Sequence, residues 1–152
     1  MDTIREQIIQ NIETRCATIS TTATSPTFNF DYDNIFRARK NIEIPDLPCM
    51  VVWPGQDTDA QKQYGRTKCE MTIKIEAFRF FDTTNPSVIQ EQMLGDVISA
   101  FTDPENPFPL IEDISYTNGG PEDFPSGGET ITGIGVTFNI QYSYKTGKPY
   151  TQ

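Results

Sequence analysis

Histidine is absent from the chain, and that absence removes several chemistries at once. A Ser-His-Asp triad, a Cys-His pair and a histidine-ligated metal site are all excluded. Positive charge is scarce too: 12 Lys and Arg stand against 21 Asp and Glu, a formal charge of −9. Nucleic-acid binding normally needs a basic face, so this balance argues against it. Cysteine is sparse, widely spaced and odd in number, at Cys16, Cys49 and Cys69. No disulfide framework and no CxxC zinc pair can be read from that spacing. Three free thiols, each a small buried hydrophobe in a reducing compartment, are expected instead. Long apolar runs are missing as well. The longest, residues 49–53, is far too short to cross a bilayer, and MDTIREQIIQ lacks the apolar core of a signal peptide. A soluble cytosolic product with no membrane partner is expected.

What remains is 152 residues, enough for one domain spanning 1–152. A chain of that size buries roughly 68–70% of its unfolded surface, so it can hold a core without staples. Residues 2–19 read as an amphipathic helix, with Ile4, Ile8, Ile12, Cys16 and Ile19 on one stripe. Residues 20–26 break that pattern with Ser, Thr and Pro. Phe28, Phe30 and Tyr32 alternate with polar residues and predict a strand, with a second over 35–39. Residues 49–53 predict a short strand ended by a turn at Pro54-Gly55. Residues 56–65 then read as an exposed loop.

A long strand is predicted over 67–81, its apolar members Cys69, Met71, Ile73, Ile75 and Ala77. At Ala77-Phe78 the phase flips, which calls for a bulge or for burial on both faces. A second helix starts near Thr84 or Asn85, with Pro86 in its first turn and a stripe of Ile89, Met93, Val97, Ala100 and Phe101. A strand over 110–116, a Gly- and Pro-rich loop over 118–128 and a strand over 134–144 follow. This order predicts an α+β fold: a mixed, mostly antiparallel sheet with two amphipathic helices packed on one face.

Chemistry-bearing constellations are weak. Asp57-Thr58-Asp59 lacks the glycine and terminal Glu of a calcium loop. Gly119-Gly120 and Gly127-Gly128 match no phosphate-binding pattern and read as turn chemistry. Glu112 and Asp113, adjacent on a strand, face opposite ways, and Glu122-Asp123 lies in a loop. No acid–base or nucleophile pairing emerges, so neither catalysis, a metal nor a cofactor is expected. The charge distribution says more. From Phe80 to Tyr144 there are ten acids and no base, whereas the remainder holds 11 acids and all 12 bases. Such asymmetry suits a surface that meets a basic partner, or one that must not grip DNA.

Several segments, in order, carry a resemblance. They are an N-terminal amphipathic helix, YDNIFRAR, IPDLPCMVVWP, KCEMTIKIEAF, the helix around VIQEQMLGDVISAF, and GVTFNIQYSYKTGKP. This succession, with Arg37, Arg39, Leu47 and Pro48 at its centre, resembles the tail terminator (tail completion) proteins of long-tailed bacteriophages. The family pattern has Gly between the two arginines; here the residue is Ala38. The resemblance implies a mixed sheet with helices on one face and assembly into a six-membered ring. Such a ring caps the tail tube, ends polymerisation and presents the head-joining surface. The implied partners are other copies of the chain, the tail tube protein and the head-completion protein. DNA would pass an anionic lumen without specific binding. The implied location is the virion tail, assembled in host cytoplasm.

Tyr64, Arg66, Phe124 and Trp53 are the expected partner contacts, because aromatic and Arg anchors dominate interfaces. Arg37 and Arg39 are the expected subunit–subunit ion pairs. A neck or head–tail joining protein, a tail tube protein and a small-ligand-binding α+β module are the alternatives.

Overall fold

The computed structural model describes residues 1–82, 84–125, 127–128 and 130–152, and of Asp59 the backbone alone. Helix α1 spans Ile4–Ala17. It starts where Thr3 accepts a hydrogen bond from the Glu6 amide at 3.0 Å, filling one of the orphan donors of a helix start. Its buried face is Ile4, Ile8, Ile9, Ile12 and Cys16. Helix α2 spans Pro86–Thr102. Asn85 caps it by accepting from the Ser87 amide at 2.9 Å, and Pro86 takes the first turn, where a missing N–H costs nothing.

Among the described residues, five strands form one sheet: β1 (Asn34–Arg37), β2 (Cys49–Gln63), β3 (Arg66–Phe80), β4 (Asp113–Pro121) and β5 (Ile131–Lys145). Their order across the sheet is β1-β2-β3-β5-β4, with β1 and β2 parallel and every other pair antiparallel. Both helices pack on one face, where their stripes meet the Met71, Ile73, Ile75 and Phe138 side of β3 and β5. The fold is therefore α+β, with a mixed, mostly antiparallel sheet. The opposite face carries a second, smaller cluster of Ile42, Leu47, Cys49, Val51, Phe78 and Phe124. That cluster answers the phase flip. Ala77 and Phe78 are both buried, β3 keeps an unbroken register with β5, and each residue simply faces a different core.

Four expectations need correction. No turn forms at Pro54-Gly55, and residues 56–65 are not a loop, because β2 runs through them to Gln63. The register with β3 jumps between Pro54 and Asp57 and again between Thr58 and Gln61. A β-carbon on Gly55 would come within 2.6 Å of the Thr72 carbonyl oxygen. Pro-Gly thus marks an irregularity inside a strand, which is the other place such residues occur.

The alternation at Phe28, Phe30 and Tyr32 is real, yet no strand forms there. The buried Asp96 carboxylate of α2 accepts from the Asn29 amide (2.9 Å), the Asn29 side chain (2.8 Å) and the Phe30 amide (3.2 Å). A side chain supplies what a neighbouring strand would have supplied. The strand predicted over 110–116 begins instead at Asp113 and extends through Gly119-Gly120 to Pro121, so the loop expected over 118–128 starts later. Helix α1 ends at Ala17, two residues short of the predicted limit.

Candidate assembly interface

The β2–β3 hairpin turns at Tyr64 and Gly65, whose φ angles are 51° and 74°. Left-handed backbone at both central residues matches the right-handed strand twist, and Asn or Gly normally fills these positions. A tyrosine here is out of keeping with turn chemistry, and its side chain is 95% exposed. Arg66 lies beside it but is committed inward, donating to the Ser143 hydroxyl at 2.9 and 3.2 Å.

At the other end of β2, the arginine run starts on the last residue of β1. Arg37 pairs with Glu6 of α1 through two hydrogen bonds of 2.7 Å each. The Arg37 hydrogen bond holds the Glu6 carboxyl below its ordinary range, and Glu6 in turn raises the Arg37 guanidinium. Arg39 stacks 4.3 Å from the Phe36 ring centroid and pairs with Asp46 at 3.3 Å. Both arginines, expected between subunits, thus have acidic partners inside their own chain. Between them Ala38 sits at φ 50°, in the left-handed region that glycine occupies most easily.

Trp53 and Phe124, the aromatic partner contacts that the sequence suggests, are each engaged by the second core. Phe124 is 7% exposed and meets Phe78 edge-on, with ring centroids 5.5 Å apart. Trp53 packs against the same cluster and donates its indole N–H to Glu76. Burial, then the neighbouring Glu122, pushes the Glu76 carboxyl up, while Lys74 holds Glu122 at 3.0 Å. The strap 122–124 lies over two glycines of β5. A β-carbon on Gly133 would overlap the Phe78 ring, and one on Gly135 would come within 2.8 Å of Glu122 Oε2. These glycines, spaced two apart in the cleanest strand of the sequence, were the available sign of something lying close on that face.

The remaining constellations divide. Asp57 accepts from the Tyr142 hydroxyl at 2.8 Å and pairs with Arg5 at 3.3 Å, so its carboxylate serves the fold. The Asp59 side chain, also weighed as a cation ligand, lies outside the described residues. Among the described residues, no group of three or more acids and cysteines is placed to hold a metal. Asp113 begins β4, Glu112 just precedes it, and both stay exposed, as does Asp123. All three cysteines are buried and free. Burial pushes the Cys49 thiol up to about 12 and raises Cys16 and Cys69 as well, so none is a ready nucleophile. No helix is long and apolar enough to cross a membrane among the described residues. No protein-family model matches the chain, and no curated protein matches it either.

Proposed function

We propose that this chain is a tail-terminator-like assembly protein of a long-tailed bacteriophage, working by surface complementarity rather than catalysis. Copies of it would form a ring, six-membered by the resemblance, that caps the tail tube and ends its growth. The ring then offers its other face to the head-completion protein. The observation that carries this reading is the backbone at Ala38. The resembling family has glycine between the two arginines, and here Ala38 takes a left-handed φ of 50°, the region that glycine occupies most easily. The residue that departs from the family pattern thus stands in a backbone conformation that favours the family's glycine.

Charge supports the same reading. Of the nine described acids between Phe80 and Tyr144, Asp96 is buried, whereas Asp82, Glu91, Glu105, Glu112, Asp113 and Asp123 are exposed. A surface of that sign repels the phosphate backbone, as a DNA conduit requires. The test is a tail-assembly reaction that lacks its terminator. Adding the protein should give tails of one length, each ending in a ring visible by electron microscopy. Overlong tails in its presence would overturn the reading.

A further inference from the structure

Glu122 opens the strap that crosses the second face of the sheet, and it is tied down twice. Its amide donates to the Gly133 carbonyl at 3.0 Å, and its carboxylate accepts from Lys74 at 3.0 Å. Two residues on, Phe124 is the apolar anchor against Phe78. The sheet beneath is cleared for this passage, since neither Gly133 nor Gly135 has room for a β-carbon under Glu122.

Glu122 arrives there beside a second carboxyl. Glu76, partly buried on β3, lies within hydrogen-bonding reach of it. The two share the amine of Lys74, whose Nζ is 3.0 Å from Glu122 and 4.0 Å from Glu76. Trp53 of β2 gives Glu76 its indole N–H. Opposite Glu76 on β5 stands Gly135, which brings no side chain. Cys49 is the other neighbour from β2, with a thiol pushed up to about 12 and therefore neutral. Beyond it Arg39 and Asp46 pair with each other at 3.3 Å. Asp123 is exposed, and Asp96 is buried on the helix face instead.

Two carboxylates this close repel, and one partly exposed amine between them offsets that only in part. A single proton turns the repulsion into a carboxylic acid–carboxylate hydrogen bond, which belongs to the strong class. Burial and Glu122 both push the Glu76 carboxyl up, so Glu76 is the natural holder of that proton.

We propose that the strap is a proton-operated latch: a proton on Glu76 bonds Glu122 and fastens residues 122–124 to the second face, and its loss frees them and uncovers Phe78 and Trp53. The latch stands on the fold alone, so tail assembly neither supports nor sinks it. The fastened state holds the proton more tightly than the released one. Release therefore grows as pH rises from 4.5 through the raised folded value of Glu76, by up to about tenfold per pH unit for one proton, and levels off above it.

Hydrogen exchange of the Glu122 amide, corrected for the intrinsic rate at each pH, reads the strap directly. Its protection should fall by up to about tenfold per pH unit over that interval. It should stay well below that of the β3–β5 ladder amides and respond little to low urea, because freeing a strap exposes little surface. Trp53, the one tryptophan in the chain, should become more open to acrylamide quenching over the same interval. Glu76→Gln, whose amide still donates to Glu122 without charge, should keep the Glu122 amide protected at every pH. Glu122→Gln, which removes the repulsion from the other side, should reduce the pH dependence. Protection of the wild-type Glu122 amide that is flat with pH overturns the latch. A fall that persists undiminished in Glu76→Gln overturns it too, since another group then drives the change. Glu122 protection equal to that of the ladder, with the same urea response, means global unfolding alone and also overturns it.

Discussion

Two glutamates show how environment, not residue type, sets behaviour. Glu6 is held down chiefly by its hydrogen bond from Arg37. Its stabilising contribution is therefore present above its ordinary value of 4.5 and is lost as pH falls through the lowered folded value. Glu76 has the opposite sign, raised chiefly by burial and next by Glu122. Its contribution is complete below 4.5 and disappears as pH rises through the raised folded value. Replacing Glu76→Gln should flatten the decline in stability between 4.5 and that raised value, read as urea midpoints across pH. Asp96, also raised by burial, leaves its own part of the decline in place. At the thiols, denatured protein under non-reducing conditions should titrate three groups, and the native protein should react far more slowly. A single reactive group after denaturation would reveal a disulfide.

Elements were legible where one face alone was buried. Helices α1 and α2 and the strands β3 and β5 follow their apolar periods, because each buries a stripe against the same core. Legibility failed where a distant group decided the outcome. Residues 28–32 have strand periodicity, but Asp96, 64 or more positions away, takes their amides. Residues 54–63 have turn composition, yet β3 holds them in the ladder through two register shifts. The glycines of β5 give a test of the strap. Gly133→Ala forces a β-carbon into the Phe78 ring and should cost about 1–3 kcal/mol by denaturant unfolding. Gly120→Ala meets nothing within 4 Å and should change stability by less than about 1 kcal/mol.

At the scale of the whole molecule, the larger core joins both helices to β2, β3 and β5, so a truncation at its centre is felt by every layer. Ile73→Ala and Phe138→Ala, both fully buried, should each cost roughly 2–5 kcal/mol of unfolding free energy. The Arg37–Glu6 pair ties α1 to β1 inside one chain, so charge reversal at Arg37 should loosen that junction whether or not a ring is present. The sequence by itself determined the helices, the long alternating strands, the fold class, the free thiols and the acidic stretch. Each of these depends on local period or composition, which the order of residues carries directly. Only tertiary structure decided that Phe124 and Trp53 face a second core, that Arg37 and Arg39 find acids at home, and that Tyr64 is left exposed. Those outcomes depend on which distant residues arrive at the same place, and no local pattern encodes the meeting of Glu6 with Arg37 or of Phe124 with Phe78.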